Sequence, residues 1–234
     1  MTFKKVIKPA ALSCLIPLIL TAQSAVAEDN KQLYSNFVTI KAGFDQANDL
    51  GTSFNRSSVD GTYVAGFEVG KTFMDDTLSA SLEYSHRGNS DASHKVNEED
   101  LNSWKVRSDT FMANLSANLM KDAKVIPYVK VGIGASTNKA GDYVESDYAQ
   151  GTLDEQNTYP GRKTTEFAWQ VGAGLTIPTY DRFDAQIEYM FVDRGKIQTE
   201  AGHYMMGESK LVSDSAKTTR LRDHVITLGI KIKF

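Results

Sequence analysis

The sequence predicts an all-β chain: an eight-stranded antiparallel transmembrane β-barrel with short periplasmic turns and four long extracellular loops. Three observations predict it. Apolar and polar residues alternate with period 2 from Val38 to the end, connections switch strictly between short and long, and no apolar run long enough for a membrane-crossing helix follows residue 27.

The first 27 residues are read apart from the barrel. Lys4, Lys5 and Lys8 precede an apolar stretch from Ala10 to Leu20, and Ala25-Val26-Ala27 supplies a small-x-small cleavage signal. The stretch falls short of the about 20 residues a spanning helix needs, and Pro9 and Pro17 interrupt it. Residues 1–27 are therefore expected to be a cleaved export signal, and residues 28–234 one barrel domain of 207 residues. Cys14, the only cysteine, lies in the leader, so the remainder holds no disulfide and no thiolate-ligated metal. Ala11-Leu12-Ser13-Cys14 also admits a lipidated cysteine, but the usual leucine three positions before it is missing and the apolar run continues past it. The formal net charge of −3 includes the three leader lysines, leaving −6, which argues against nucleic acid as a partner.

Eight strands are read in order. Val38, Ile40, Ala42 and Phe44 share one face of the first, with Thr39, Lys41, Gly43 and Asp45 on the other. The second sets Tyr63, Ala65, Phe67 and Val69 against Gly66, Glu68 and Gly70, and the third sets Leu78, Ala80, Leu82 and Tyr84 against Ser81, Glu83, Ser85 and Arg87. In the fourth Phe111, Ala113, Leu115, Ala117 and Leu119 oppose Thr110, Asn114, Ser116 and Asn118. The fifth opposes Val129, Val131, Ile133 and Ala135 to Tyr128, Lys130, Gly132 and Gly134. The sixth pairs an apolar row of Phe167, Trp169, Val171, Ala173 and Leu175 with Gln170, Gly172 and Gly174. In the seventh Phe183, Ala185, Ile187, Tyr189 and Phe191 oppose Asp184, Gln186 and Glu188. The eighth sets Ile226, Leu228, Ile230, Ile232 and Phe234 against Thr227, Gly229, Lys231 and Lys233.

Connections separate a membrane barrel from a soluble sandwich, because membrane barrels keep short turns at one end and long loops at the other. Residues 74–77, 121–124 and 178–181 read as tight turns, whereas 46–59, 88–103, 137–163 and 195–219 are long and hydrophilic. Both termini of the barrel then lie on the periplasmic side. About eight strands enclose an interior that side chains just fill. Lys41, Arg87, Lys130, Lys231 and Lys233 are accordingly expected to meet Glu68, Glu83, Asp184 and Glu188 in a lumenal salt-bridge network, since buried charges must be paired. Aromatic residues at strand ends, Phe44, Tyr63, Phe73, Tyr84, Phe111, Phe167, Trp169, Phe183, Phe191 and Phe234, suit the two membrane interfaces.

The runs Phe167-Ala168-Trp169-Gln170-Val171-Gly172-Ala173-Gly174 and Tyr189-Met190-Phe191-Val192-Asp193-Arg194-Gly195-Lys196, with the ending His224 to Phe234, resemble the opacity-type and OmpA-like small outer-membrane barrels. Within these the chain looks most like rickettsial-type surface adhesins. The resemblance implies a bacterial outer-membrane protein that attaches to host-cell surface proteins, with Phe234 as the signal for the barrel-assembly machinery. The peptidoglycan-binding domain of the OmpA type has no counterpart before Phe234.

Catalytic and metal chemistry is not expected. Ser85-His86 are strand neighbours that point to opposite faces, His94 lies in a loop, and His203 and His224 have no nucleophile motif near them. No cofactor motif occurs: the glycine pairs 132/134 and 172/174 lie inside strands with no helix following. The loops carry the remaining candidates. The second and third present acid, at Glu98, Glu99 and Asp100 and at Asp142, Glu145, Asp147, Asp154 and Glu155. The fourth joins Tyr204, Met205 and Met206 to Lys210, Lys217, Arg220 and Arg222, an adaptable apolar contact beside charges that steer an acidic partner. Alternatively its arginines grip lipopolysaccharide phosphates or steady the rim. Tyr143, Tyr148 and Tyr159 add contact area in the third loop. The expected function is an adhesin for host-cell surface or serum proteins; a structural or weakly conducting envelope barrel and a lipid-acting enzyme are the other classes weighed.

Overall fold

In the computed structural model the described residues are 35–47, 58–59, 61–95, 101–120, 123–149, 152–180, 182–206 and 210–234. Among them the strands are β1 (Asn36–Ala47), β2 (Ser58–Val59), β3 (Thr62–Phe73), β4 (Leu78–Lys95), β5 (Leu101–Asn118), β6 (Ile126–Ala140), β7 (Tyr143–Ala149), β8 (Thr152–Tyr159), β9 (Lys163–Tyr180), β10 (Phe183–Gln198), β11 (Gly202–Met206), β12 (Lys210–Asp214) and β13 (Thr218–Lys233). The leader lies outside these residues.

Eight long strands, β1, β3, β4, β5, β6, β9, β10 and β13, pair antiparallel with their neighbours in that order, and β13 pairs back onto β1. Closure removes every sheet edge within the apolar zone, which a lipid environment requires because it offers no partner to a free N–H or C=O. The seam is tight to its end: Asn36 N donates to Phe234 O at 3.1 Å and Phe234 N donates to Asn36 O at 2.9 Å.

The side chains are arranged inside out. Ile40, Phe44 and Leu228 are 61%, 77% and 63% exposed, while Lys41 and Glu68 on the alternate faces are 6% and 3% exposed. A soluble sandwich of these strands would bury the first set and wet the second, so the burial pattern defines a membrane barrel. The short turn 74–77 holds Met74, Asp75 and Asp76 at φ of 53°, 51° and 62°. It is secured by Thr77 N and Thr77 Oγ1, which both donate to Met74 O.

The structure corrects the connections in two ways. The third turn does not begin at Pro178: β9 runs on to Tyr180, and Pro178 sits opposite Asp184 beside a register shift, a site where a missing N–H is tolerated. The second, third and fourth long loops are also largely strand, while 48–57 of the first lie outside the described residues. β4 and β5 extend their hairpin to Lys95 and Leu101, β7 and β8 form a second hairpin hydrogen-bonded to β5, and β11 and β12 form a third that touches β8. Alternation fades there because neither face meets lipid, yet the backbone still satisfies itself by pairing.

Candidate functional site

Two charged layers and an apolar plug fill the lumen. The lower layer comes from inward positions of five strands. Lys41 Nζ on β1 lies 3.1 Å from Glu68, 3.0 Å from Glu83 and 3.1 Å from Glu188, and Lys130 Nζ on β6 lies 2.8 Å from Glu68 and 2.5 Å from Glu188. Neutral donors reach the same carboxylates. Ser81 donates to Glu68 at 2.5 Å, Asn114 to Glu83 at 2.8 Å, Gln170 to Glu83 at 3.2 Å and Tyr128 to Glu188 at 3.0 Å. Gly132 makes room for this arrangement, because a Cβ there would collide with Asn114 Oδ1 and crowd Gln170. At the end of the barrel nearer the chain termini Lys233 donates to Asp184 at 3.0 Å, whereas Lys231 stands 4.1 Å over the Phe37 ring rather than joining the ion pairs.

Beyond the lower layer the lumen turns apolar, with Val64, Met112, Ala168, Met190, Val192 and Val225 buried together. A second charged layer follows. Arg87 Nε donates to Asp45 at 2.7 Å, and Arg194 grips Asp223 through Nε and Nη2, reaching Ser108 at 2.6 Å through Nη1. Asp45 links the two arginines, lying 3.9 Å from Arg194. Asp45, Arg194 and Asp223 were absent from the expected network. Asp45 sat on a polar row that could have suggested it. The other two keep the inward parity of Glu188 and Thr227 but lie past Phe191 and Ile226, the limits of the alternation read from the sequence; the bulge between Asp193 and Lys196, where Gly195 takes φ +77°, instead turns Ile197 and Thr199 inward. Val106, Ile197 and Leu221, with Ala140 and Tyr143 against them, close the lumen past this layer. Between the charged layers a cavity of about 10 Å³ remains, room for roughly one water.

The loop candidates are dispersed. Tyr159 is 1% exposed, with Lys217 Nζ 4.8 Å over its ring and Tyr143 5.6 Å away centroid to centroid, so it packs the cap instead of presenting a contact surface. Arg220 and Arg222 belong to β13 rather than to a loop, and both donate to the buried Asp193, at 2.9 and 3.3 Å. Tyr148 lies on β7, Tyr204, Met205 and Met206 on β11 and Lys210 on β12; their side chains lie outside the description. Glu98, Glu99 and Asp100 also lie outside the described residues. His86 bonds to Asp109 at 2.7 Å, with Tyr84 donating to the same carboxylate at 2.8 Å, and His224 meets Tyr189 OH at 2.5 Å. Among the described residues no group of three or more His, Cys, Asp or Glu is placed to hold a metal ion.

A closed eight-stranded barrel, apolar outside and ionic within, defines an integral β-barrel of the bacterial outer membrane. The chain belongs to the outer membrane protein beta-barrel domain family, whose model matches residues 12–234. In fold it is similar to Neisserial surface protein A, at 13% identity with a TM-score of 0.51, covering 85% of this chain and 97% of that one. It is similar also to the outer membrane protein OprG from Pseudomonas aeruginosa, at 14% identity with a TM-score of 0.50, covering 86% and 96%. No curated protein matches the sequence.

Proposed function

We propose that this barrel is a surface adhesin whose long hairpins bind a host-cell surface or serum protein. Residues 1–27 are removed on export, Phe234 is read by the barrel-assembly machinery, and both termini of the barrel face the periplasm. The observation that carries the reading is the contrast along the axis. The lumen is filled by two charged layers and an apolar plug, which leaves little path for solute, while β4/β5, β7/β8 and β11/β12 continue as paired hairpins past the apolar exterior. A blocked tube that carries a large structured crown is suited to recognition. The crown offers Tyr148, Tyr204, Met205, Met206 and Lys210 on its hairpins, residue types that form adaptable and anchoring contacts. The resemblance to opacity-type and rickettsial-type adhesins points the same way. His86 is bonded to Asp109, which Tyr84 also engages, rather than to a serine, which supports a non-enzymatic role.

The test is adhesion of a non-adherent bacterium displaying the barrel to epithelial cells, against a version whose hairpins are cut back to short turns. Both versions are checked for folding by heat-shifted gel mobility. Attachment by the full chain and none by the trimmed one is expected. Folded barrels that fail to attach in either form would overturn the adhesin reading and make single-channel conductance the next measurement.

A further inference from the structure

On the side of the lower charged layer nearer the chain termini, the lumen holds two adjoining cavities. The inner one, of about 20 Å³, is lined by the Phe37 ring, the hydroxyls of Thr39, Ser79 and Ser116 and the charged Glu68, Lys130 and Lys231. The outer one, of about 80 Å³, shares Phe37 and Lys231 and carries Asp76, Asp184 and Lys233 at its mouth. Lys231 stands where the two meet.

Two neighbouring groups there are left unmatched. Lys231 Nζ lies 4.1 Å over the Phe37 ring, and among the described residues no carboxylate is within ion-pair distance of it. Its register partner on β10, Asp184, is committed to Lys233 at 3.0 Å. Its register partner on β1 is Thr39, which is 2% exposed and whose Oγ1 meets no hydrogen-bond partner among the described residues. A buried hydroxyl or ammonium without a partner is costly, so each calls for an acceptor. Glu68 does not answer the call, because it already takes Lys41, Lys130 and Ser81. Its one negative charge faces two lysines along the inner cavity, which leaves a positive charge in surplus and disfavours a cation. A cavity of this volume admits a particle about the size of a water molecule. A phosphate or sulfate group is too large for it, whereas a monatomic anion fits.

We propose that the inner cavity binds a monatomic anion, chloride in the cell, between the Lys231 ammonium and the Thr39 hydroxyl, with Ser79 and Ser116 as further donors. The anion accepts from both groups that the lumen leaves unmatched, and it enters through the mouth between Asp184 and Asp76. The site depends on the lumen alone, so a barrel that attaches to no cell leaves it standing.

The experiment titrates the folded full barrel in phosphatidylcholine nanodiscs with chloride, gluconate holding the ionic strength constant, and reads binding from broadening of the chloride NMR line. Saturable broadening is expected for the wild type. Lys231→Gln removes the charged donor and should weaken binding by about tenfold or more, the scale of a charge-assisted hydrogen bond. Thr39→Val removes a neutral donor at similar shape and should weaken it roughly fivefold. Two variants at the mouth should act in opposite directions. Asp184→Asn lifts a negative charge from beside Lys231 and should tighten binding, while Lys233→Gln releases Asp184 to pair with Lys231 and should weaken it. A lysine that only steadies the barrel would give neither change. If Lys231→Gln fails the heat-shift check, Thr39→Val and Asp184→Asn carry the test. Broadening that does not saturate in the wild type, or an affinity unchanged by these substitutions, overturns the proposal. So does displacement of chloride by an equal concentration of sulfate, which would put the anion in the wider mouth instead.

Discussion

The two charged layers of the lumen solve one problem in different ways. The lower one shares two lysines among three glutamates, and Lys41 and Lys130 both touch Glu68 and Glu188. The upper one pairs two arginines with two aspartates, and Arg194 commits both Nε and Nη2 to Asp223. Lysine is a compact charge that several carboxylates can surround, whereas the guanidinium fork matches one carboxylate face to face. A shared layer therefore tolerates some losses and not others, while a paired layer suffers whenever one member goes.

The largest expected effect tests the shared layer at its hub. Lys41→Met leaves Glu68, Glu83 and Glu188 with Lys130 alone, and should cost about 5 kcal/mol, the upper end for breaking a buried ion pair, read as the drop in urea midpoint of the barrel in phosphatidylcholine vesicles. Next comes Arg194→Met, at about 3–4 kcal/mol, because Asp223 is stranded while Asp45 keeps Arg87. Arg194→Met/Asp223→Leu should recover much of that loss, since a buried pair replaced by apolar side chains is often near neutral; a double variant no better than the single would break the pairwise description. Lys130→Met should cost only about 2 kcal/mol, the loss of charged hydrogen bonds, because Lys41 still reaches every carboxylate of the layer. If Lys130→Met matches Lys41→Met, the layer has no hub. The smallest effect belongs to the rim: Arg220→Gln or Arg222→Gln alone should cost under about 1 kcal/mol, and the two together more than their sum, since Asp193 is 1% exposed and would lose both partners.

The same division separates what was legible in the sequence from what was not. Lys41, Glu68, Glu83, Lys130 and Glu188 sit on unbroken alternation, so their inward direction can be read residue by residue. Arg194 and Asp223 keep the inward parity of Glu188 and Thr227 but lie beyond Phe191 and Ile226, where the apolar outward row gives out and with it the alternation read from the sequence. Tyr159 read as an exposed loop residue because nothing local says that β8 folds its end over the lumen. The apolar layer of Val64, Met112, Met190 and Val225 escaped as well, since these residues interrupt polar rows that were expected to stay polar.

By itself the sequence determined the strands, the face each side chain takes and the apolar exterior, because period-2 direction is a local property of the backbone and lipid demands an apolar outer row. Only the tertiary structure decided which charges meet, that the upper layer exists, and that three of the long connections are paired hairpins. Those depend on the stagger of eight strands around a closed ring, which brings residues as distant as Lys41 and Glu188 within 3.1 Å, and on desolvation that becomes severe only once the ring is shut.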